Sequence, residues 1–225
     1  MKNTKIKILT LSLLAAIGLS FIGCDSNQFV SPNTANEVTL EQSQNVATNG
    51  TIARAALKTG PVSNEAAEAI EAPKERVTRK EGELNIIKAI SSASLQKQFV
   101  ATWFVERDES GWIYAGDESH GRTWLYFPRN AVPQDVYVTI DWESEGLLEG
   151  GVEFSPHGIE FQKDVTVWIS YKDVDLGNIN ENDLKLWYWN EDDNVWELIG
   201  DTVDTDEKMV GGVLEHFSRY ALGGE

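Results

Sequence analysis

Cysteine is almost missing from this chain: 225 residues contain one, Cys24. A lone cysteine excludes an internal disulfide, so whatever folds here is held by an ordinary core. Histidine is nearly as scarce. His120, His157 and His216 fall in three separate places with no short His-x-x-x-His or Cys pairing, which leaves a zinc site without support. Basic residues are short as well, 19 against 36 acidic, for a formal net charge of −17. Such a surface repels nucleic acid and anionic lipid, and no nucleic-acid partner is expected. The longest apolar run, residues 8–22, falls short of the roughly 20 residues a helix needs to cross a bilayer. There is no Gly-x-Ser-x-Gly elbow, phosphate loop or dinucleotide fingerprint. No cofactor, metal or enzymatic activity is therefore expected.

What is present begins at the amino terminus. Lys2, Lys5 and Lys7 open the chain, the apolar run follows, and Gly23-Cys24 leads at once into Asp25-Ser26-Asn27-Gln28. A basic head, an apolar middle and a small residue at the cut describe a secretory signal. The cysteine narrows this to a bacterial lipoprotein signal over residues 1–23. In such processing, diacylglycerol is attached to the Cys24 thiol, the chain is cut before it, and an acyl chain such as palmitate often caps the new amine. Gly23 suits the cut; Phe21 stands where leucine is usual. One acyl chain holds a protein only marginally, whereas two or three anchor it stably. Removing residues 1–23 takes away three lysines and no acid, leaving 16 basic and 36 acidic side chains and a formal charge of −20. The expected location is the bacterial cell envelope, at the outer membrane or cell surface rather than the inner membrane. Asp25, however, retains lipoproteins at the inner membrane in some bacteria.

From Asp25 to about Glu83, aromatics are nearly absent after Phe29, and Asn, Thr, Ser, Gln, Ala and Glu dominate. That composition buries too little apolar area to repay ordering, so residues 24–83 are expected to form a lipidated, flexible tether. One short helix is predicted within it, capped by Ser63 and stopped before Pro73. From residue 84 to 225 the character changes. Residues 84–90 fit a strand or a helical turn equally. Residues 99–106 and 111–115 predict a hairpin. Clean alternation marks residues 122–127, 136–142 and 165–171, and residues 184–189 and 195–199 flank the polar turn 190–194. A last strand is predicted from 209 to 222. Short alternating runs between turns predict an all-β, antiparallel β-sandwich.

Two stretches carry a resemblance. Residues 121–136, with Pro128, Ala131-Val132-Pro133 and the strand after them, resemble the strand, Ala-Leu-Pro corner and following strand of the ZU-five domain. Residues 154–165, with Pro156-His157-Gly158 and Phe161, are similar to that family's Pro-x-Gly-x-x-Phe segment, although Asp164 stands where proline is usual. The ZU-five domain is the β-sandwich of ankyrins, netrin receptors and zonula-occludens proteins, and related domains occur in bacterial surface lipoproteins. The resemblance implies a sandwich and a protein-interaction role. Proline at the corner ends strand pairing, and Gly158 permits a positive φ.

Three candidate sites follow. His216-Phe217-Ser218 is similar to sequences at which some members of that family cut themselves: Ser218 would attack the Phe217 carbonyl while His216 takes its proton. The simpler reading is a pair of hydrogen-bonded groups on an inward strand face. Second, Trp168, Trp187, Trp189 and Tyr137 alternate with apolar neighbours and are expected on outward sheet faces, where they could stack on glycan rings. Equally, residues 84–115 could cover them, or they could pair across strands. Third, Asp173, Asp175, Gly177 and Asn178 begin like a calcium loop, but the required sixth-position glycine is Asn178 and the twelfth position is Leu184. The sequence thus describes a non-enzymatic lipid-anchored envelope protein with a binding or structural module. Its expected partners are the membrane through the anchor, and envelope proteins or glycans.

Overall fold

The computed structural model describes residues 53–89, 100–142, 151–172 and 174–224. The expected signal peptide, Cys24 and the first half of the expected tether lie outside them. Strands β1 (Ala53–Ala55), β2 (Thr78–Lys80), β3 (Asn85–Ile86) and β4 (Lys88–Ala89) come first, with the helix α1 (Asn64–Glu68) between β1 and β2. Then come β5 (Val100–Val105), β6 (Gly111–Asp117), β7 (Gly121–Phe127), β8 (Val136–Asp141), β9 (Gly151–Ser155) and β10 (Glu160–Ser170). The last are β11 (Val174–Asp175), β12 (Lys185–Asn190), β13 (Val195–Gly200), β14 (Thr202–Asp204), β15 (Met209–His216) and β16 (Arg219–Gly224).

These strands form the expected all-β sandwich. The larger sheet runs β1-β5-β8-β9-β16-β12-β13-β2, with β3 also on β16, and the smaller runs β14-β15-β10-β7-β6. Pairing is antiparallel within both, except that β1 lies parallel to β5. Period-two alternation supplies the core between them. The larger sheet contributes Trp103, Val105, Val138, Ile140, Phe154, Leu186 and Tyr220; the smaller contributes Ile113, Leu125, Phe127, Val165, Val167 and Ile169.

Three expectations need correction. The hairpin of residues 99–115 is an arch: β5 belongs to the larger sheet and β6 to the smaller. Each run alternates as read, but alternation says nothing about whether two strands share a ladder or face each other across a core. Here Trp103 and Val105 face Ile113 in the core, and the Trp103 indole donates to the Tyr114 carbonyl at 2.7 Å. The hairpin in this region is β6–β7, with Gly111 opposite Phe127.

The last strand, expected from 209 to 222, is two strands in different sheets. The chain leaves β15 at His216, passes between the sheets at Phe217-Ser218, and enters β16 at Arg219. Phe217 is the pivot. Its buried ring sits 4.8 Å from Phe161, 6.3 Å from Phe127 and 6.4 Å from Phe154. The Ser218 carbonyl accepts from Phe154 N at 3.0 Å.

The tether does not run to Glu83. Residues 53–83 are folded onto the sandwich, as a strap touching both sheets. Beside the smaller sheet, Leu57 and Trp112 exchange backbone hydrogen bonds of 2.7 Å in each direction. The helix α1 starts where the sequence put it: Ser63 Oγ accepts from Ala66 N at 3.1 Å, a serine N-cap. Beside the larger sheet, β2 pairs with β13 and Arg76 forks onto Glu197. The segment holds little apolar area of its own, but Leu57, Val62, Ala67 and Ile70 pack against aromatic rings supplied from elsewhere in the chain.

The two corners behave as proline and glycine chemistry dictates. After Pro128, Asn130 takes φ 62° and donates to the Arg107 carbonyl at 2.7 Å, and Ala131 and Val132 are buried. Gly158 has φ 81°, with open space where a Cβ would stand, so the backbone alone demands glycine there.

Candidate functional site

The outward aromatics divide between two sheets. On the smaller sheet, Val165, Val167 and Ile169 enter the core and Trp168 points the other way, as alternation requires. Yet Trp168 is only 5% exposed. Its ring lies over Gly211, its cross-strand neighbour, where an added Cβ would come within 3.1 Å of the indole. It packs with Trp112, Tyr126, Met209 and Ala67 in a second apolar cluster beneath the strap. Polar contacts fix the cover: the Trp112 indole donates to Asn64 Oδ1 at 2.8 Å, the Tyr126 hydroxyl to Glu68 at 2.8 Å, and Thr166 Oγ1 to the Ala67 carbonyl at 2.7 Å. Burial, then the Glu68 carboxylate, push the Tyr126 phenol up to about 12. Over Trp168 the strap's cover is residues 57–70 rather than 84–115.

On the larger sheet, Trp187 is fully buried and its indole donates to the Gly223 carbonyl at 3.3 Å. Leu84 and Asn85 lie against that same glycine. Trp168 and Trp187, both expected as outward ligand-binding rings, are therefore interior side chains: Trp168 is held by packing, and Trp187 also bonds Gly223. Trp189 is half-buried. It faces Trp196 across the β12–β13 hairpin, ring centres 5.2 Å apart, with the Arg219 guanidinium 5.9 Å from its ring. Tyr137 is 57% exposed and stands 5.1 Å from Phe104, its cross-strand partner. Trp189 and Tyr137 thus remain on accessible faces, each with an aromatic neighbour not singled out from the sequence. Pairing of Asn190 with Val195 across the turn at 191–194 sets Trp189 opposite Trp196, whereas Phe104 meets Tyr137 only through the β5–β8 pairing, which the expected 99–115 hairpin did not contain.

Beside Trp196 the surface sinks into a groove of about 640 Å³, between residues 81–87 and the loop 175–179. A shallower hollow of about 300 Å³ lies where Ile70 and Glu68 approach Arg129 and Lys163.

The His216-Phe217-Ser218 segment sits at the sheet-to-sheet crossing. The His216 ring lies edge-on to Tyr188 at 4.7 Å, and its Nδ1 is 3.4 Å from the Phe217 carbonyl. The Tyr220 hydroxyl donates to the His216 carbonyl at 2.6 Å. Burial raises the phenols of Tyr188 and Tyr220 above their ordinary value. His216 and Ser218 do not share one continuous strand face, because the strand ends between them. The backbone at Phe217 and Ser218 has neither positive φ nor a cis bond, so two forms of strain that could drive an acyl shift are absent there.

Across the lower part of the strap, Glu197 accepts from Arg76 and from Asn190, and Arg76 also reaches Asp193 at 3.2 Å. The Arg76 hydrogen bond holds the Glu197 carboxyl below the usual carboxylate range. Among the described residues no group of three His, Cys, Asp or Glu side chains could hold a metal ion. In the calcium-like loop, Asp175 Oδ1 accepts from Gly177 N at 2.8 Å, closing a local turn, and Asp173 lies outside the described residues. Compared with known proteins, the chain matches no family model, and no curated protein matches it.

Proposed function

We propose that this chain is a non-enzymatic, lipid-anchored protein of the bacterial cell envelope, which holds a β-sandwich binding module away from the membrane. The anchor is Cys24, carrying diacylglycerol and an N-acyl chain. The observation that carries the reading is the strap. The chain coming from the amino-terminal side joins the larger sheet through β1 and is then fixed to both sheets. A module held from its amino-terminal side needs such a fixed point, because a strand inside a sheet resists detachment better than a loose end does. The ZU-five-like kinship belongs to the same proposal; the proline corner and the Gly158 turn support it.

Metabolic labelling with a fatty-acid analogue tests the anchor. The full chain takes up label and Cys24→Ala does not; equal labelling of both removes the anchor from the proposal.

A second reading, glycan binding, is favoured by the accessible ring pairs Trp189–Trp196 and Phe104–Tyr137. Self-cutting at Phe217-Ser218 is the least supported reading, since Phe217 is clamped by three rings. Intact mass of the purified chain decides it: two fragments meeting at Ser218 would establish the cut, and one uncut species ends it.

A further inference from the structure

The groove beside Trp196 combines features that select a ligand class. Its volume, about 640 Å³, lies within the roughly 300–1,000 Å³ of small-molecule sites. Trp196 supplies a half-buried indole at one wall, and Leu84, Ile86, Leu176 and Ile179 supply aliphatic surface. The same groove is lined by Glu81, Asn85, Asp175 and Asn178. A purely apolar ligand would cover those four polar side chains without satisfying them. Among the described residues no lysine or arginine lines the groove, so an anionic ligand would meet two carboxylates and no countercharge from them.

The remaining class has flat apolar C–H faces edged by hydroxyl donors, with zero or positive charge. We propose that the groove is a saccharide site that takes a neutral or amine-bearing sugar. One ring face stacks on Trp196, and the hydroxyls bond to the carboxylates of Glu81 and Asp175 and the amides of Asn85 and Asn178. Asp175 has one oxygen engaged by Gly177 N, which holds the carboxylate at the groove and leaves the other oxygen to accept from a sugar hydroxyl. Trp189, packed behind Trp196, holds the indole in place. The rim is backbone of defined shape, since Gly82 at φ 83° and Gly177 at φ 57° set the turns on either side. The inference rests on the glycan-binding reading and names its site.

The test titrates the purified full chain with cellotriose, with the glucosamine trimer and with the galacturonic acid trimer, following tryptophan emission and heat. Saturable binding of the first or second, with the acidic trimer at least tenfold weaker, is expected. Trp196→Ala and, separately, Asn178→Leu on the exposed loop should each weaken binding at least tenfold. The second variant keeps the test decisive if the first fails to fold. Glu109→Gln, remote from the groove, should bind as the parent does. Binding that survives both groove variants but is lost in Tyr137→Ala overturns the groove and leaves glycan binding standing at the other ring pair. Equal affinity for the acidic trimer overturns the charge argument and with it the site. No binding of any trimer overturns both the site and the glycan reading.

Discussion

The outer faces of the two sheets begin from the same pattern and end differently. On β10, Trp168 alternates with core residues and is covered; on β8, Tyr137 alternates with core residues and is bare. Nothing within either strand separates them. The difference comes from residues 57–70, which cross Trp112, Tyr126 and Trp168 but do not cover Tyr137. Period two fixes which way a side chain points, while exposure is decided by chain distant in sequence.

The largest effect should come from removing a covered ring. Trp168→Ala or Trp112→Ala is expected to cost about 3–5 kcal/mol in urea unfolding, the usual price of an aromatic deleted from a packed core. Tyr137→Ala should stay within about 0.5 kcal/mol. Equal losses at both would erase the distinction between the faces. Next is Gly60→Ala. A Cβ at Gly60 would fall 2.1 Å from the Trp112 ring, so the strap must lift or the indole must shift, for about 1–3 kcal/mol. Hydrogen exchange should then quicken in residues 57–70 while β8 and β9 stay protected.

How much of this was legible beforehand follows from the same contrast. The alternation that marks most strands of the sandwich, the Ser63 cap, the β12–β13 hairpin and the 128–133 corner are set by neighbours within a few residues, and all were visible in the sequence. The arch at 106–110, the crossing at Phe217 and the strap depend on contacts between segments about 30 to 120 positions apart, such as Phe104 with Tyr137, Trp112 with Asn64 and Arg76 with Glu197. Alternation carries no trace of these. The groove was hidden for the same reason: its walls come from residues 81–87, the loop 175–179 and Trp196, and only folding joins them.

A smaller test concerns the cap. Ser63→Ala should cost about 1 kcal/mol, read as a lower Tm with unchanged tryptophan emission from the native state. If emission shifts red as well, the helix alone keeps water from the covered rings. The smallest effect should be one of pH on the lower strap. The Glu197 carboxyl is held below its ordinary value, chiefly by Arg76. A depressed carboxylate contributes stability above its unfolded pKa, and that contribution is lost as pH falls through the folded one. Protection at residues 76–80, measured relative to the intrinsic exchange rate at each pH, should therefore weaken below about pH 4, near the ordinary glutamate value. Arg76→Ala should exchange faster already at pH 7 and lose this pH response. An unchanged response in the variant would assign it to another carboxylate.

The parallel pairing of β1 with β5 also sets a geometric limit on any anchored form. A chain free up to residue 84 could extend about 200 Å from Cys24, at roughly 3.5 Å per residue. With Ala53 already in the sheet, no conformation of the intervening residues can carry the sandwich's first strand beyond about 100 Å. Halving a radius divides the half-sphere it sweeps by about eight. A domain tied to a membrane by the shorter line meets targets near that membrane at correspondingly higher effective concentration, and loses distant ones altogether. In an anchored form the strap would therefore set the search radius of the sandwich as well as covering Trp112 and Trp168.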